Sequence, residues 1–584
     1  MAGTKSFAEL SRKYIVPRNH SESDYFGIIQ ELVAQRNEYP ATGPEYCAWQ
    51  EKIDQVYELV ADELASNQGL PVTPVSFGTS GWRGILGKDL FAKSVAQVTR
   101  AIIAMYEEIA PTNGLGEALG VKDIAEAQTR GCVVGFDNRF GGELLARRVI
   151  EVLTAHGFVV HYAGEATTGT LSAAVLGRGA AFSINLTPSH NPLQYGGYKY
   201  NAADAGPAAA ILTSRITAKA REIMASGEAV AGRADFSLVR NFDALAAWID
   251  LVRANGKRHG LDYDAIMAGF AGPGARRDGE LAVAVDCVHG ASRLHMAALF
   301  NREEGRPPGR LILLRANRDP TFGGIAPEPS TVNLAPAVEA LKHRPEPLKL
   351  GAIIDPDGDR IRFTDGTTEI SMNKFGAMAY HFLHEIKKKR GLVAKTVATS
   401  NFANALAAAF GEEVFETRVG FKEFKPVIDR ALVCFEESDG ITVIGHTPEK
   451  DAYIGLLLAL DMVQTLGKNL GDYLRDLEDK YGSYQPAAGA VVVKQQGALL
   501  TATLANLAKF AIDTPVKVGE AEKRIVEVID IDGRKMIFAD GSWIMIRPSG
   551  TEPKVRYYVE ARSVAGKAAL ITAAKEMLAE IGLL

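Results

Sequence analysis

The sequence predicts an α/β protein of several similar units, closed by a smaller α+β unit. Three observations predict it. From about residue 71, short apolar runs alternate with helical stretches, the α/β texture. Five of these runs share one plan: CVVGFDNR (132–139), AFSINLTPSH (181–190), LAVAVDCVHG (281–290), LGAIIDPDGD (350–359) and LVCFEESDG (432–440) each carry a strand-like run into a polar loop. The chain has 584 residues, more than one core supports, so roughly three to five domains are expected.

The elements follow in order. Residues 1–70 read as an amphipathic helical extension packed on the main body. YFGIIQELVAQRN and WQEKIDQVYELVADELA space their apolar residues at three and four, and the turn-rich YPATGPE separates them. The first α/β unit is placed at 71–245, the second at 246–370 and the third at 371–485. NFDALAAWIDLVRANGKRHG (241–260) and SMNKFGAMAYHFLHEIKKKRG (371–391) are the helices that separate them. The five runs are short and nearly all apolar, as expected of strands buried on both faces. Ligands of such sheets gather outside the carboxyl ends of the strands, so each unit offers one loop to a shared cleft. Residues 486–584 change style. AGAVVVK, RIVEVIDIDGRKMIFADGSWIMIRP and KVRYYVEARS read as strands joined by Asp-Gly turns, and AGKAALITAAKEMLAEIG (565–582) as a closing helix.

Bulk properties narrow the function. A net charge of -5 argues against a nucleic-acid binder held by bulk electrostatics. Cys47, Cys132, Cys287 and Cys434 form no CxxC pair, so neither a zinc site nor a disulfide framework is expected. No apolar run approaches a membrane span, and MAGTKSFAELSRKY lacks the apolar core of a secretory signal. The expectation is a soluble cytoplasmic protein with no nucleic-acid or membrane partner.

Chemistry gathers in a few loops. TPSHNP (187–192) fixes Ser189 and His190 between two prolines, which stiffens the turn and pushes Thr187 and Asn191 toward extended backbone. A tight surface turn would look the same. No GxSxG surrounds Ser189, which argues against a hydrolase nucleophile. In DPDGDR (355–360), Asp355, Asp357 and Asp359 alternate, so in an extended segment all three carboxylates point one way. Such a set repels itself unless a cation sits among it, and hard oxygen ligands suit Mg²⁺. An EF-hand is ruled out, because its sixth and twelfth positions would be Arg360 and Gly366. A solvated acidic turn is the alternative.

RPSGTEPKVR (547–556) reads as an anion cradle, with Arg547 as a planar fork, Ser549 and Thr551 as hydroxyls and Gly550 for close backbone approach. A plain hairpin turn is its alternative. FEESDG (435–440) offers acceptors for sugar hydroxyls, and VGFKEF (419–424) is a weaker signal. FGTSGWRG (77–84) suits an anion but lacks the Walker spacing, and NGLGEALG (113–120) misses the dinucleotide spacing. A stiff serine, a triple-Asp loop and a phosphate cradle together point to phosphoryl transfer, which depends on positioning and charge neutralisation.

FGTSGWRG, TPSHNP, DPDGDR, FEESDG and RPSGTEPK, in this order, resemble the α-D-phosphohexomutase superfamily over roughly residues 71–584. The resemblance implies three similar α/β domains with mixed sheets and a C-terminal α+β domain around a central cleft. TPSHNP followed by GGYKYN looks most like bacterial phosphoglucomutases, which interconvert glucose 1-phosphate and glucose 6-phosphate. Ser189 would then carry the phosphoryl group, beside His190. Asp355, Asp357 and Asp359 would bind one Mg²⁺ per chain, with the serine phosphate completing its shell. Arg83, Arg360 and Thr79 would face the reacting phosphate, and Lys199 and Lys450 would be acid/base candidates. Gly420, Phe421 and Lys422 would form a specificity loop beside the sugar-binding Glu436 and Ser438. Arg547, Ser549, Gly550 and Thr551 would hold the spare phosphate. Glucose 1,6-bisphosphate is implied as intermediate and activator, and a monomer or homodimer as the assembly.

The sequence departs from the family in places. Many relatives read TASHNP, and near Asp439–Gly440 no histidine stands where mannose-type relatives carry one. A mannose-preferring or dual-specificity mutase, a phosphatase and a non-catalytic phosphosugar-binding scaffold are the alternatives.

Overall fold

A computed structural model describes residues 5–78, 81–227, 230, 233–271, 280–300, 310–549 and 554–584. The chain opens with three helices, α1 (Phe7–Tyr14), α2 (Tyr25–Arg36) and α3 (Pro44–Ser66). Each start is legible in the sequence. Ser6 caps α1 in a reciprocal box with Glu9, Asp24 accepts from the Gly27 amide at 2.8 Å, and Pro44 takes the first position of α3. Ile28, Ile29 and Leu32 of α2 and Ile53, Val56, Val60 and Leu64 of α3 are fully buried in the same apolar core as the first sheet. The extension therefore shares its core with the body it covers.

The first sheet contains β1 (Trp82–Ile85), β2 (Cys132–Phe136), β3 (Val160–Glu165), β4 (Phe182–Leu186), β5 (Tyr195–Ala202) and β6 (Val239–Asn241), in the order β1-β5-β4-β2-β3-β6. The second has β7 (Leu281–Asp286), β8 (Leu311–Leu314), β9 (Leu348–Ile354), β10 (Ile361–Thr364) and β11 (Glu369–Ile370), in the order β11-β10-β9-β7-β8. The third has β12 (Leu392–Thr396), β13 (Val414–Thr417), β14 (Ala431–Glu436) and β15 (Gly440–Val443), in the order β13-β12-β14-β15.

These sheets repeat one device. Parallel strands form the centre, and the last of them turns back into an antiparallel partner: β4 into β5, β9 into β10, β14 into β15. The turns of those three hairpins are TPSHNPLQ, DPDGDR and ESD. The loops singled out by chemistry therefore occupy one equivalent place in three sheets, at the carboxyl end of a buried central strand. The central strands β2, β4, β7 and β14 are buried at every residue, which is why they read as unbroken apolar runs.

The second and third sheets share one core, threaded by the apolar helix Ala452–Leu466 and sealed by Trp248. The last unit is an antiparallel sheet of β16 (Gln485–Val492), β17 (Pro515–Val518), β18 (Ala521–Ile529), β19 (Arg534–Phe538), β20 (Trp543–Pro548) and β21 (Lys554–Ala561), packed on the helix Val564–Glu580. Gly533 and Gly541 supply the positive φ of its two Asp-Gly turns.

This last sheet meets the third through a buried amine. Lys535 of β19 reaches across to donate to Val397 O at 2.9 Å and Asn401 Oδ1 at 3.0 Å, over the face of Trp543. Lys395 and Lys535 share Glu416, at 2.7 and 3.3 Å. Burial, with the charge of Lys395, pulls the Lys535 ammonium down to about 7 against the pull of Glu416 and Glu560. An ordinary lysine in the unfolded chain titrates near ~10.4. Between those values the unfolded state binds one more proton, so this residue makes stability rise with pH, and below about 7 its contribution is flat. The melting temperature of the wild-type protein relative to Lys535→Met should therefore climb between pH 7 and pH 9. A pH-independent difference would show that the buried amine stays charged throughout.

Candidate active site

Ser189 is nearly inaccessible, at 1% exposure, with its backbone held in the left-handed region at φ 57°. That conformation costs a non-glycine residue about 1–2 kcal/mol, so the surroundings must impose it. They do so from both sides. The Ser189 amide donates to Thr187 Oγ1 at 2.9 Å, and Thr187 Oγ1 donates to Asp137 Oδ2 at 2.7 Å. Arg139 donates to Ser189 O at 2.7 Å, to Pro192 O at 2.6 Å and to Asn191 O. Asp137 and Arg139 follow β2, the strand beside β4. The strand next to it crowds the loop from behind: a Cβ on Gly197 would lie 2.1 Å from Thr187 O, so only glycine lets β5 pass.

The hydroxyl of Ser189 donates to Asp355 Oδ2 at 2.8 Å and lies 3.3 Å from His190 Nδ1. Asp355, Asp357 and Asp359 are buried, with carboxylate oxygens within 4.8 Å of one another. They do not converge by strand alternation as expected. DPDGDR is a turn: Gly358 takes φ 66° and its amide donates to Asp355 O at 3.0 Å. The Asp359 and Arg360 amides both donate to Asp355 Oδ1, which folds the loop around the first aspartate. Thr168 holds Asp357 from the first unit, through Oγ1 to Oδ2 at 2.8 Å. Asp357 Oδ1 and Asp359 Oδ1 are buried without a hydrogen-bond partner. Two orphaned acceptors inside a triple carboxylate fit a divalent cation.

Cations already offset part of this charge. Lys199 sits on β5 opposite Asn185 and donates to Asp357 at 2.6 Å and Asp359 at 2.9 Å. Lys450 lies 3.3 Å from Asp359 and within 4.0 Å of Glu436 and Glu449. Burial disfavours both ammoniums, but the carboxylates outweigh it and hold both protonated. Burial and the two neighbouring aspartates push Asp355 well above the usual carboxylate range. Burial also works against the charge of Asp359, but Lys199, Lys450 and Arg360 overcome it and keep it ionised. Arg360, then burial, then Arg83 depress His190, leaving a neutral imidazole. The guanidinium of Arg83 on β1 has no hydrogen-bond partner among the described residues, and Arg360 keeps its Nε unsatisfied. Two cationic groups thus stand ready for an anion beside the serine.

The sugar loop joins the metal loop directly: the Ile361 amide donates to Asp439 O at 2.9 Å. Glu436 faces Lys450, whereas Glu437 turns inward to accept from Thr396 and Thr399. Gly420 takes φ 130° and opens the turn that carries Lys422. Phe421 lies in the same turn. Its side chain is 3% exposed and packs edge-on against Phe424, with the Lys450 ammonium over its ring, so it supports Lys450 from the core. In the last unit, Arg547 at the end of β20 pairs with Asp532 at 3.1 Å, and the Ser549 amide closes the hairpin on Lys554 O at 2.9 Å. Thr79, Gly550 and Thr551 lie outside the described residues.

Sequence reasoning missed Asp137, Arg139 and Thr168. The run CVVGFDNR marked a strand and its polar loop, but nothing in it shows that Arg139 grips carbonyls about fifty residues away.

Comparison with known proteins finds four successive matches, each described as phosphoglucomutase/phosphomannomutase: alpha/beta/alpha domain I at residues 74–226, domain II at 265–368, domain III at 371–481 and the C-terminal domain at 499–576. The chain belongs to this family. It is similar to phosphoglucomutase-1 of Bos taurus, 26% identical over 77% of this chain and 86% of that one. It is similar to a phosphoglucomutase/phosphomannomutase of Thermococcus kodakarensis, 28% identical over 83% of this chain and 94% of that one. A solved structure of a putative phosphomannomutase from Thermus thermophilus has the same fold, with a TM-score of 0.67 at 24% identity over 87% of this chain and 99% of that one. The serine, aspartate and sugar loops fall within domains I, II and III in turn. Residues before 74 fall in none.

Asp357→Asn keeps the acceptor that Thr168 uses but removes one ligand charge. It should weaken Mg²⁺ binding at least about tenfold in a calorimetric titration, since even indirect partners of metal ligands cost that much. Unchanged affinity would place the cation elsewhere.

Proposed function

We propose that this protein is a phosphoglucomutase that interconverts glucose 1-phosphate and glucose 6-phosphate through a phosphoserine and a glucose 1,6-bisphosphate intermediate. The observation that carries this reading is Ser189, strained, buried and hydrogen-bonded to the first of three clustered aspartates. A serine held in this way is poor as a surface turn and well placed to carry a group whose charge must be balanced.

In the forward step a hydroxyl of the sugar attacks the phosphorus of phosphoserine, an O–P bond forms to the sugar, the bond to Ser189 Oγ breaks, and the proton lost by the sugar hydroxyl is made up on Ser189 Oγ. Charge spreads over the phosphoryl oxygens, where Arg83 and Arg360 neutralise it. Asp355, Asp357, Asp359 and the serine oxygen would hold one Mg²⁺, which supplies further charge neutralisation when bound. Lys199, kept protonated by two aspartates, is the general-acid candidate, and Lys450 the second. Glu436 and Ser438 would bind sugar hydroxyls, with Gly420 and Lys422 beside them. Arg547 and Ser549 would hold the phosphate that is not reacting. The sugar must then turn over between two steps, so a water-excluding closure of the last unit serves the reaction.

A mannose-preferring or dual-specificity mutase uses the same residues, and the name of the Thermococcus relative covers both sugars. What supports the glucose reading is the sequence: TPSHNP followed by GGYKYN, and no histidine near Asp439–Gly440.

A coupled assay with Mg²⁺ and a trace of glucose 1,6-bisphosphate decides between them. Glucose 1-phosphate should turn over faster than mannose 1-phosphate, and Ser189→Ala should abolish both. Full activity in that variant would end the phosphoserine mechanism, and mannose preference would move the sugar assignment. Arg547→Ala should raise KM for glucose 1-phosphate about tenfold with a smaller change in kcat, the pattern of lost ground-state binding. A fall in kcat alone would assign Arg547 to the chemical step.

A further inference from the structure

Residues 5–70 lie outside the four matched domains, yet they reach the serine loop through a short chain of buried contacts. The chain starts at Arg36, the last residue of α2, whose side chain is 1% exposed. Its guanidinium pairs with Asp319 Oδ2 at 3.2 Å and donates to Gln50 at 2.6 Å and to Asn37 at 3.2 Å. A buried guanidinium is costly unless its donors are met, and here they are met from both sides of the junction. Asp319 organises the loop 319–324 of the second unit, accepting from the Thr321 amide and hydroxyl and from the Gly323 amide.

That loop has an unusual backbone. Phe322, Gly323 and Gly324 all have positive φ, at 54°, 63° and 82°. For phenylalanine this is strained, so something must hold it. The holder is α2: Asn37 Nδ2 donates to Gly323 O at 2.8 Å, and a Cβ on Gly324 would stand 2.9 Å from Val33 Cγ1. The strained residue drives its ring, fully buried, into the core of the first unit. There the Arg139 guanidinium lies over it at 4.6 Å. Arg139 is the residue that grips three carbonyls of the serine loop. Asn138 ties the same junction by donating to His289 O at 2.6 Å and Asp319 O at 3.3 Å.

We propose that the N-terminal helices brace the phosphoserine loop, with Arg36 as a positioning residue that acts through Asp319 and Phe322 on Arg139. The brace bears on catalysis only if Ser189 is the phosphoryl carrier, so this inference rests on the reading above. Arg36 touches no substrate. Its task is to keep the ring of Phe322 under the Arg139 guanidinium, and so to keep Ser189 in its left-handed conformation facing Asp355. Small displacements of a reacting group are expensive: about 1 Å can cost on the order of a hundredfold in rate.

The test compares Arg36→Gln, Arg36→Lys and Phe322→Leu with Leu10→Ala, which loosens the same helices at α1, away from the junction. Four quantities are read: hydrogen exchange at the Ser189 and Asn191 amides without substrate, single-turnover transfer from phosphoserine to glucose 1-phosphate, steady-state KM and the melting temperature. Arg36→Gln should speed exchange at both amides and slow transfer about tenfold, with KM within about twofold. Arg36→Lys should recover part of both losses. Phe322→Leu, which keeps the ion pair, should reproduce the pattern. Leu10→Ala should lower the melting temperature and leave exchange at the two amides as in wild type. Unchanged exchange in Arg36→Gln, or equal loosening in Leu10→Ala at matched stability, overturns the brace. A wild-type protein that turns over no hexose phosphate would defeat the proposed function, while the exchange measurement would still decide the brace.

Discussion

The structure is organised around a charge that cannot be left alone. Three buried carboxylates share a space less than 5 Å across, and two like charges at 4 Å repel by about 4 kcal/mol even at a protein-like dielectric of 20. The fold answers with ammonium and guanidinium groups drawn from different units. Lys199 comes from the first sheet, Arg360 from the metal loop itself and Lys450 from the third unit. Asp357 Oδ1 and Asp359 Oδ1 remain without a hydrogen bond, and so does Arg360 Nε. The balance is left incomplete in a way that a divalent cation and a phosphoryl group would complete together under the proposed function. Such electrostatic readiness, set before the reactants arrive, is what phosphoryl transfer asks of a protein.

Bringing those groups together is the work of one repeated topology. In three sheets a buried parallel strand reverses into an antiparallel neighbour, and the reversal is the functional loop. Because each loop ends a strand buried on both faces, its position inherits the rigidity of a packed sheet. The loops then contact one another: serine to aspartate loop through Ser189 and Asp355, aspartate to sugar loop through Ile361 and Asp439. The second and third sheets also share one core, so their two loops are anchored in a common packed body. The last unit meets the third through a smaller mixed contact, an apolar cluster of Val397, Ala398, Trp543, Met545 and Tyr558 beside the buried polar groups Lys535, Glu416 and Asn401.

Much of the site was legible because its residues are contiguous in the chain. TPSHNP and DPDGDR each place several functional atoms within six residues, and the apolar strands that precede them are unmistakable. Reading failed where the partner of a side chain is a distant backbone group. Arg139 serves the carbonyls of residues 189–192, and a carbonyl has no signature in a sequence. Nor did the sequence show that the ring of Phe421 is buried against Phe424, because that packing depends on the tertiary fold. The aspartates converge as expected but by a different geometry, since the left-handed Gly358 folds the loop where an extended strand was anticipated.

By itself, then, the sequence determined the kinds of element, the order of the units and the chemistry each loop can offer. Local rules suffice for these: periodicity, capping, the φ freedom of glycine and the charge of neighbouring residues act over a few positions. Only the tertiary structure decided which loops meet, which ammonium answers which carboxylate and what the first seventy residues rest against. Ser189 and Asp355 stand 166 residues apart, and Arg36 and Asp319 stand 283 apart. Contacts of that span are set by how sheets pack and cores merge, and no local pattern encodes them.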